Sequence, residues 1–183
     1  GTRLLIEAGK EGRISGIRGV LSSQLDVPKR LEPAVAAALG AYLDAVLLDK
    51  ESSSEGSLRE NVLAALERLL EGDTRGTFLP LPDLRPSPNL PAPTGKGVIG
   101  QAADLVKTAP EIRAAVEVLL GKSVIVENRQ AAGLVLSAYP MVEQAVTLSG
   151  EVFHASGMVS VGQRSGSSTL SRPRQRRELA DLV

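Results

Sequence analysis

The chain has no cysteine, no tryptophan, one histidine and only four residues of the Phe/Tyr type: Tyr42, Phe78, Tyr139 and Phe153. Without cysteine there can be no disulfide, no thiol nucleophile and no thiolate-held zinc, and this usage favours a reducing compartment. His154 stands alone, with no HxxxH companion to complete a metal site. Four scattered aromatics are too few for the base-stacking platforms of single-strand binders. No apolar run reaches the roughly 18 residues that cross a bilayer, and no signal-peptide pattern opens the sequence. Charge of one sign is missing as well. The 21 basic residues balance 21 acidic ones, so any nucleic-acid contact must rest on a local patch.

Catalytic motifs are equally scarce. No GxSxG elbow surrounds Ser165. TGKGVIG (94–100) resembles a phosphate loop only superficially. It lacks the glycine five positions before Gly95 and the hydroxyl residue after Lys96, and Pro91 and Pro93 occupy its approach. Its glycines read as a turn that permits close backbone packing. Glu111 and Glu117 read as solvated acids on a helix face. The residues present therefore assemble no catalytic constellation and give no positive evidence for an enzyme, a cofactor or a metal.

What is there is a repeat. AVAAALGAYLDAVLLD (34–49) and AAVEVLLGKSVIVEN (114–128) both run from an apolar helix pattern through a glycine stop into a short apolar run. Lined up on Gly40 and Gly121, Gly16 falls on Gly97, Gly19 on Gly100, Leu21 on Ala102 and Leu25 on Val106. One structural unit has been used twice. At 183 residues the chain suits one domain or two packed lobes.

The elements follow from periodicity and punctuation. RLLIEA (3–8) reads as a short helical remnant. A helix with Pro33 in its first turn ends at Gly40. DAVLLD (44–49) and GTFLPL (76–81) read as strands, the second stopped or placed at an edge by Pro80. Ser57 and Glu60 form a capping box for a helix whose Leu58, Leu63, Leu66, Leu69 and Leu70 line one face. The proline-rich segment after Pro82 reads as an extended linker. Beyond it lie helices 101–107, 110–120 and 129–137 and strand 123–127. AVTL and EVF then form a hairpin about a two-residue Ser149-Gly150 turn, and MVSV (158–161) is a short apolar strand among glycines. The boundaries are 1–11 entry stub, 12–84 lobe I, 85–94 linker, 95–164 lobe II, and 165–183 basic tail and start of an arm.

Two features invite a partner. Strand 158–161 is either a free edge, which recruits other strands, or a strand paired inside its own sheet. Arg172, Arg174, Arg176 and Arg177 crowd a helix start. There they are either a solvated face or, being poorly placed at the positive end of a helix dipole, a seat for phosphate or acidic groups.

The ordered series GIRGVLSSQLDVP, AVAAALGAYLDAVLLD, GTFLPL, GVIGQAADLV, LLGKSVIVEN and VTLSGEVFHASGMVSVG resembles the hinge domain of structural maintenance of chromosomes (SMC) proteins over residues 12–165. The resemblance implies an α+β fold of two related lobes with mixed sheets, flanked by stubs of an antiparallel coiled coil. It implies a dimerisation module joining two arms, as a homodimer or with a paralogous hinge. The ATPase would reside in separate head domains, and the location would be cytoplasmic, at the chromosome. Gly150, Gly157, Met158, Val159 and Gly162, with Gly76 on the facing lobe, are the expected contact. Sequence-independent DNA contact is expected from Arg164, Arg172, Arg174, Arg176 and Arg177, joined by Lys10, Arg13 and Arg18. Family members usually close the last strand with Gly-Gly, where this chain has Val161-Gly162; Val161 either tightens or loosens the contact. The alternatives from other classes are a regulatory domain whose linker and TGKGVIG turn cradle an anionic small molecule, and a free-standing nucleic-acid binder using the arginine tail.

Overall fold

The computed structural model describes residues 1–12, 14–49, 55–73, 75–87 and 91–161, with backbone only for 55–58. Its elements in order are α1 (Thr2–Lys10), β1 (Ile17–Val20), α2 (Glu32–Leu39), β2 (Val46–Leu48), α3 (Glu55–Glu71), β3 (Phe78–Pro80), β4 (Val98–Gln101), α4 (Pro110–Leu120), β5 (Ser123–Val126), α5 (Arg129–Ala138), β6 (Gln144–Thr147), β7 (Glu151–His154) and β8 (Val159–Val161). They form two mixed sheets, ordered β1-β2-β3 and β4-β5-β6-β7-β8. The fold is α+β. Two compact units result: Gly1–Gln24 with Ala41–Arg85, and Leu25–Gly40 with the chain from Pro86 onward.

The repeat is visible in the ladders. β1 runs antiparallel to β2 and β2 parallel to β3; β4 runs antiparallel to β5 and β5 parallel to β6. Ile17, Gly19 and Val20 face Leu48, Leu47 and Val46, and Val98, Gly100 and Gln101 face Val126, Ile125 and Val124. Each first strand carries one bulge, just before an aligned glycine. Gly19 (φ 113°) and Gly100 (φ 155°) adopt backbone angles that a side chain would disfavour. The flanking bonds correspond too. Leu21 N–H donates to the Ala45 carbonyl and Ala102 N–H to that of Ser123, both at 2.8 Å. Asp26 and Lys107, aligned by the same spacing, exchange N–H···O bonds of 2.8 and 3.0 Å with each other.

β1 is a strand in a stretch to which the sequence reading assigns no element, and β4 a strand in one that it reads as a turn. Segment 101–107 is not a helix either. Gln101 ends β4, 102–105 is a turn, and Lys107 is extended in its bridge to Asp26. So short a stretch just ahead of Pro110 cannot repay helix nucleation, whereas ladder bonds are at hand on both sides.

In the first unit α1 and α3 cover one face of the sheet, closing a core of Leu5, Ala8, Ile14, Val46, Leu48, Ala65 and Leu69. α3 starts at Glu55, so Ser57 lies inside the helix rather than at its cap. Its buried side is Asn61, Ala65 and Leu69, while Leu63, Leu66 and Leu70 are exposed. The small Ala65 admits the neighbouring helix; the leucine stripe expected to face inward mostly does not. At the end of this unit Leu84 is extended (φ −68°, ψ 135°). In the second unit α5 packs on Val124, Val126 and Ala145. Alternation turns Ile125, Val146 and Val152 to the opposite face, where α2 meets β6 and β7. Asn128 caps α5, accepting the Ala131 N–H at 3.0 Å.

Candidate functional site: two free strand edges

The last hairpin ends the larger sheet. β8 pairs antiparallel with β7, setting Phe153 opposite Val159 and Glu151 opposite Val161, and among the described residues no strand follows it in the sheet order. The connecting turn is closed by Gly157 N–H to the His154 carbonyl and His154 N–H to the Met158 carbonyl, both 2.9 Å. Gly157 (φ 88°) supplies the left-handed residue that such a three-residue loop demands. Both readings of 158–161 are therefore realised, one on each side of the strand. His154 and Met158 point into the β7–β8 ladder, so alternation turns the N–H and C=O groups of Val159 and Val161 outward. Their side chains are bare as well: Met158, Val159 and Val161 are 63%, 61% and 71% exposed. An apolar strand with an open ladder is an edge that calls for a cover.

Among the described residues the smaller sheet has its own open edge at β3. The Thr77 carbonyl accepts Val46 N–H at 2.9 Å, so Thr77 and Leu79 address β2 while Gly76, Phe78 and Pro80 address the free side. Pro80 offers a carbonyl there and no N–H. In the aligned position of the second repeat, β6 is covered on that side by β7.

The expected contact residues take different places. Gly157, Met158 and Val159 lie on the exposed hairpin, and Gly76 is exposed beside β3. A Cβ on Gly76 would come within 2.9 Å of Leu69 Cδ2, so this glycine also lets α3 pack closely. Gly150 is buried, not presented. Its N–H closes the β6–β7 turn on the Thr147 carbonyl at 2.9 Å, making a three-residue loop rather than a two-residue one, and a Cβ there would lie 3.3 Å from the Pro33 carbonyl oxygen. Lys10 is exposed at the end of α1. Arg18 forms an ion pair with Asp49 (Nε–Oδ2 2.5 Å). Gly162, Arg13, Arg164, Arg172, Arg174, Arg176 and Arg177 lie outside the described residues.

The groups proposed for an anionic ligand are engaged in other ways. Gly97 packs on α5, its Cβ position 2.9 Å from Ala131 Cβ and 3.8 Å from a Glu127 carboxylate oxygen, which places negative charge beside the turn. The linker end is held by Tyr139, whose hydroxyl accepts Thr94 N–H (3.2 Å) and donates to the Thr94 carbonyl (3.1 Å). Among the described residues no cluster of His, Asp and Glu could hold a metal ion, and no helix is long and apolar enough to cross a membrane.

Residues 14–134 match the family model described as the SMC proteins flexible hinge domain. The chain belongs to the SMC hinge family. It is 33% identical, over 98% of its length, to the chromosome partition protein Smc of Myxococcus xanthus, and spans 14% of that protein. An asymmetric dimer of the Geobacillus stearothermophilus SMC hinge domain is similar in structure (TM-score 0.80, 25% identity), covering 98% of this chain and 71% of that one. The Pyrococcus furiosus Smc hinge with an extended coiled coil is similar at TM-score 0.63 and 25% identity, covering 98% of this chain and 64% of that one. Of the two readings of Pro80, a strand stop or an edge position, the sheet order realises the edge: β3 ends the order β1-β2-β3.

Proposed function

We propose that this hinge is the dimerisation module of a chromosome-organising SMC ATPase, in which β8 of one copy extends the β3 edge of a second copy. Twofold symmetry makes the contact twice and closes a small ring, joining two coiled-coil arms. The observation that carries this reading is the exposed apolar ladder of Val159 and Val161. The repeat units are lobes 12–84 and 95–164, joined by the linker 85–94. Partner choice is a second copy or a paralogous hinge, and ATP turnover belongs to head domains elsewhere in the full protein. Replacing Val159 with Pro removes a ladder donor at the free edge without touching the core, and should give folded monomers by light scattering and circular dichroism. A V159P chain that still dimerises as the parent does would contradict the proposal.

DNA contact forms the second part. Arg172, Arg174, Arg176 and Arg177 make the densest basic run in the sequence, with Arg164, Lys10, Arg13 and Arg18 as further candidates. Arg18 is the weakest of these because Asp49 already neutralises it. Phosphate contact alone gives dissociation constants on the order of 10⁻⁴ to 10⁻⁶ M that weaken steeply with salt. Changing Arg174, Arg176 and Arg177 together to Glu should abolish binding of duplex DNA at low salt and leave the dimer mass unchanged. Equal binding by parent and variant would contradict a role of this run in DNA contact.

A further inference from the structure

We propose that the second unit carries a binding pocket for a small uncharged aromatic molecule, one ring in size, between the α5–β6 loop and the end of the linker. None of its walls belongs to β3 or β8. The site therefore stands or falls independently of the strand-edge contact described above.

The pocket follows from the way α5 ends. Pro140 cannot continue a helix, so α5 stops at Ala138 and the chain turns back toward β6, with Val142 N–H on the Tyr139 carbonyl at 3.0 Å. The turn after α4 approaches from the other side. There the Gln101 side-chain amide donates to the Gly121 carbonyl, and Glu143 N–H donates to the Lys122 carbonyl at 2.9 Å. Between the two loops remains a pocket of about 120 Å³, floored by the buried Val124 and Val142. Gly121 and Ala138 leave its sides without long side chains. Pro91 and Pro93 of the linker form a further wall, tied in place by the two Tyr139–Thr94 hydrogen bonds. Their fixed rings cannot lean in to fill the space.

The lining selects the ligand. Its polar side chains are already engaged: Lys122 Nζ lies 2.7 Å from Glu143 Oε1, the Gln101 amide serves Gly121, and the Tyr139 hydroxyl both donates and accepts at Thr94. A charged guest would lose its water and meet no free partner, whereas an apolar one gains by leaving water. Size limits the guest to one ring. An apolar cavity of roughly 150 Å³ takes one benzene, so about 120 Å³ holds a ring with one edge toward solvent. Pro91, Pro93 and Pro140, with the thioether of Met141 at the 59% exposed rim, favour a flat ring over a puckered one. Proline C–H groups beside the amide nitrogen suit the electron-rich face of a ring, and sulfur suits its edge. A bound ring touches the linker prolines on one side and Val124 of β5 on the other. Ligand and Tyr139 clasp thereby hold the same segment, and each strengthens the other.

Methyl NMR of the parent chain, labelled at valine, leucine and methionine, reads the site directly. Phenol should shift the Val124, Val142 and Met141 methyls saturably, with a dissociation constant on the order of 1 mM. Cyclohexanol, of similar size but puckered, and benzoate, a charged ring, should each bind at least about fivefold more weakly. Val142→Phe sets the chain's own ring in the pocket and should abolish the phenol shifts. Tyr139→Phe keeps the ring but loses the clasp, and should weaken phenol about threefold. Shifts that do not saturate, or that appear equally at the exposed Leu63, Leu66 and Leu70 of α3, overturn the site. Equal binding of cyclohexanol or benzoate overturns the ligand class. Phenol bound undiminished by a folded Val142→Phe chain places the binding elsewhere and contradicts the proposal. Should that variant fail to fold, Tyr139→Phe decides: unchanged phenol affinity contradicts a site walled by the clasped linker.

Discussion

At the first residue of β7, Glu151 collects the polar groups of the β6–β7 turn. It accepts from Arg129 Nε at 2.9 Å and from Thr147 Oγ1 at 3.2 Å, while its own N–H donates to Thr147 Oγ1 at 3.2 Å. The Arg129 guanidinium, with help from the Thr147 and Ser149 hydroxyls, holds the Glu151 carboxyl below its ordinary range, and the Glu151 carboxylate in turn raises Arg129. A depressed carboxyl stabilises the fold above its unfolded-state value, and that contribution disappears as the pH falls through the folded-state value. Glu151→Gln should therefore lower Tm at pH 7, and the difference from the parent should close on acidification through the glutamate range. A gap in Tm that persists at low pH would show that packing rather than charge is at work. None of this was legible in the sequence, because Arg129 and Glu151 lie 22 positions apart and meet only through the fold. The valines of β8, by contrast, announced themselves as a short apolar run between glycines. Gly150 misled, since the glycine that serves a partner and the one that serves a turn look alike until a neighbour such as Pro33 is in place.

Elements with one dominant period were readable, and elements ruled by glycine were not. α4, α5 and β5 to β8 fall where periodicity puts them, within a residue or so. β1 and β4 did not, because Gly16, Gly19, Gly97 and Gly100 mimic turn chemistry while building bulged strands. α3 was found but turned the wrong way. Five leucines suggested the core face, whereas close helix packing selected Asn61, Ala65 and Leu69. The expected outcome is an inversion of the usual rule that leucine matters more than alanine. Leu63→Gln should shift the urea midpoint by less than about 0.5 kcal/mol in equivalent stability. Ala65→Leu, which overfills a site with no exposure, should cost about 1–3 kcal/mol. Equal costs for the two would mean that the leucine stripe is covered in solution.

For the molecule as a whole, the duplication explains why there are two unlike edges to join. Both copies share an antiparallel–parallel ladder of three strands, but only the second adds β7 and β8, so the first keeps the side of β3 open that β6 has closed. The repeat was legible from Gly40 and Gly121; that its copies differ in edge cover was not, because a ladder's free side has no sequence period. A chain with one acceptor edge and one donor strand satisfies both in a twofold dimer, and a specific contact of that kind buries roughly 1,200–2,000 Å². The most direct measurement is the solution mass of this chain by light scattering across a dilution series. The account predicts about 38 kDa, twice the chain mass of 19.2 kDa, held into the low micromolar range and falling to the chain mass on further dilution. A mass of 19.2 kDa at high micromolar concentration would contradict it.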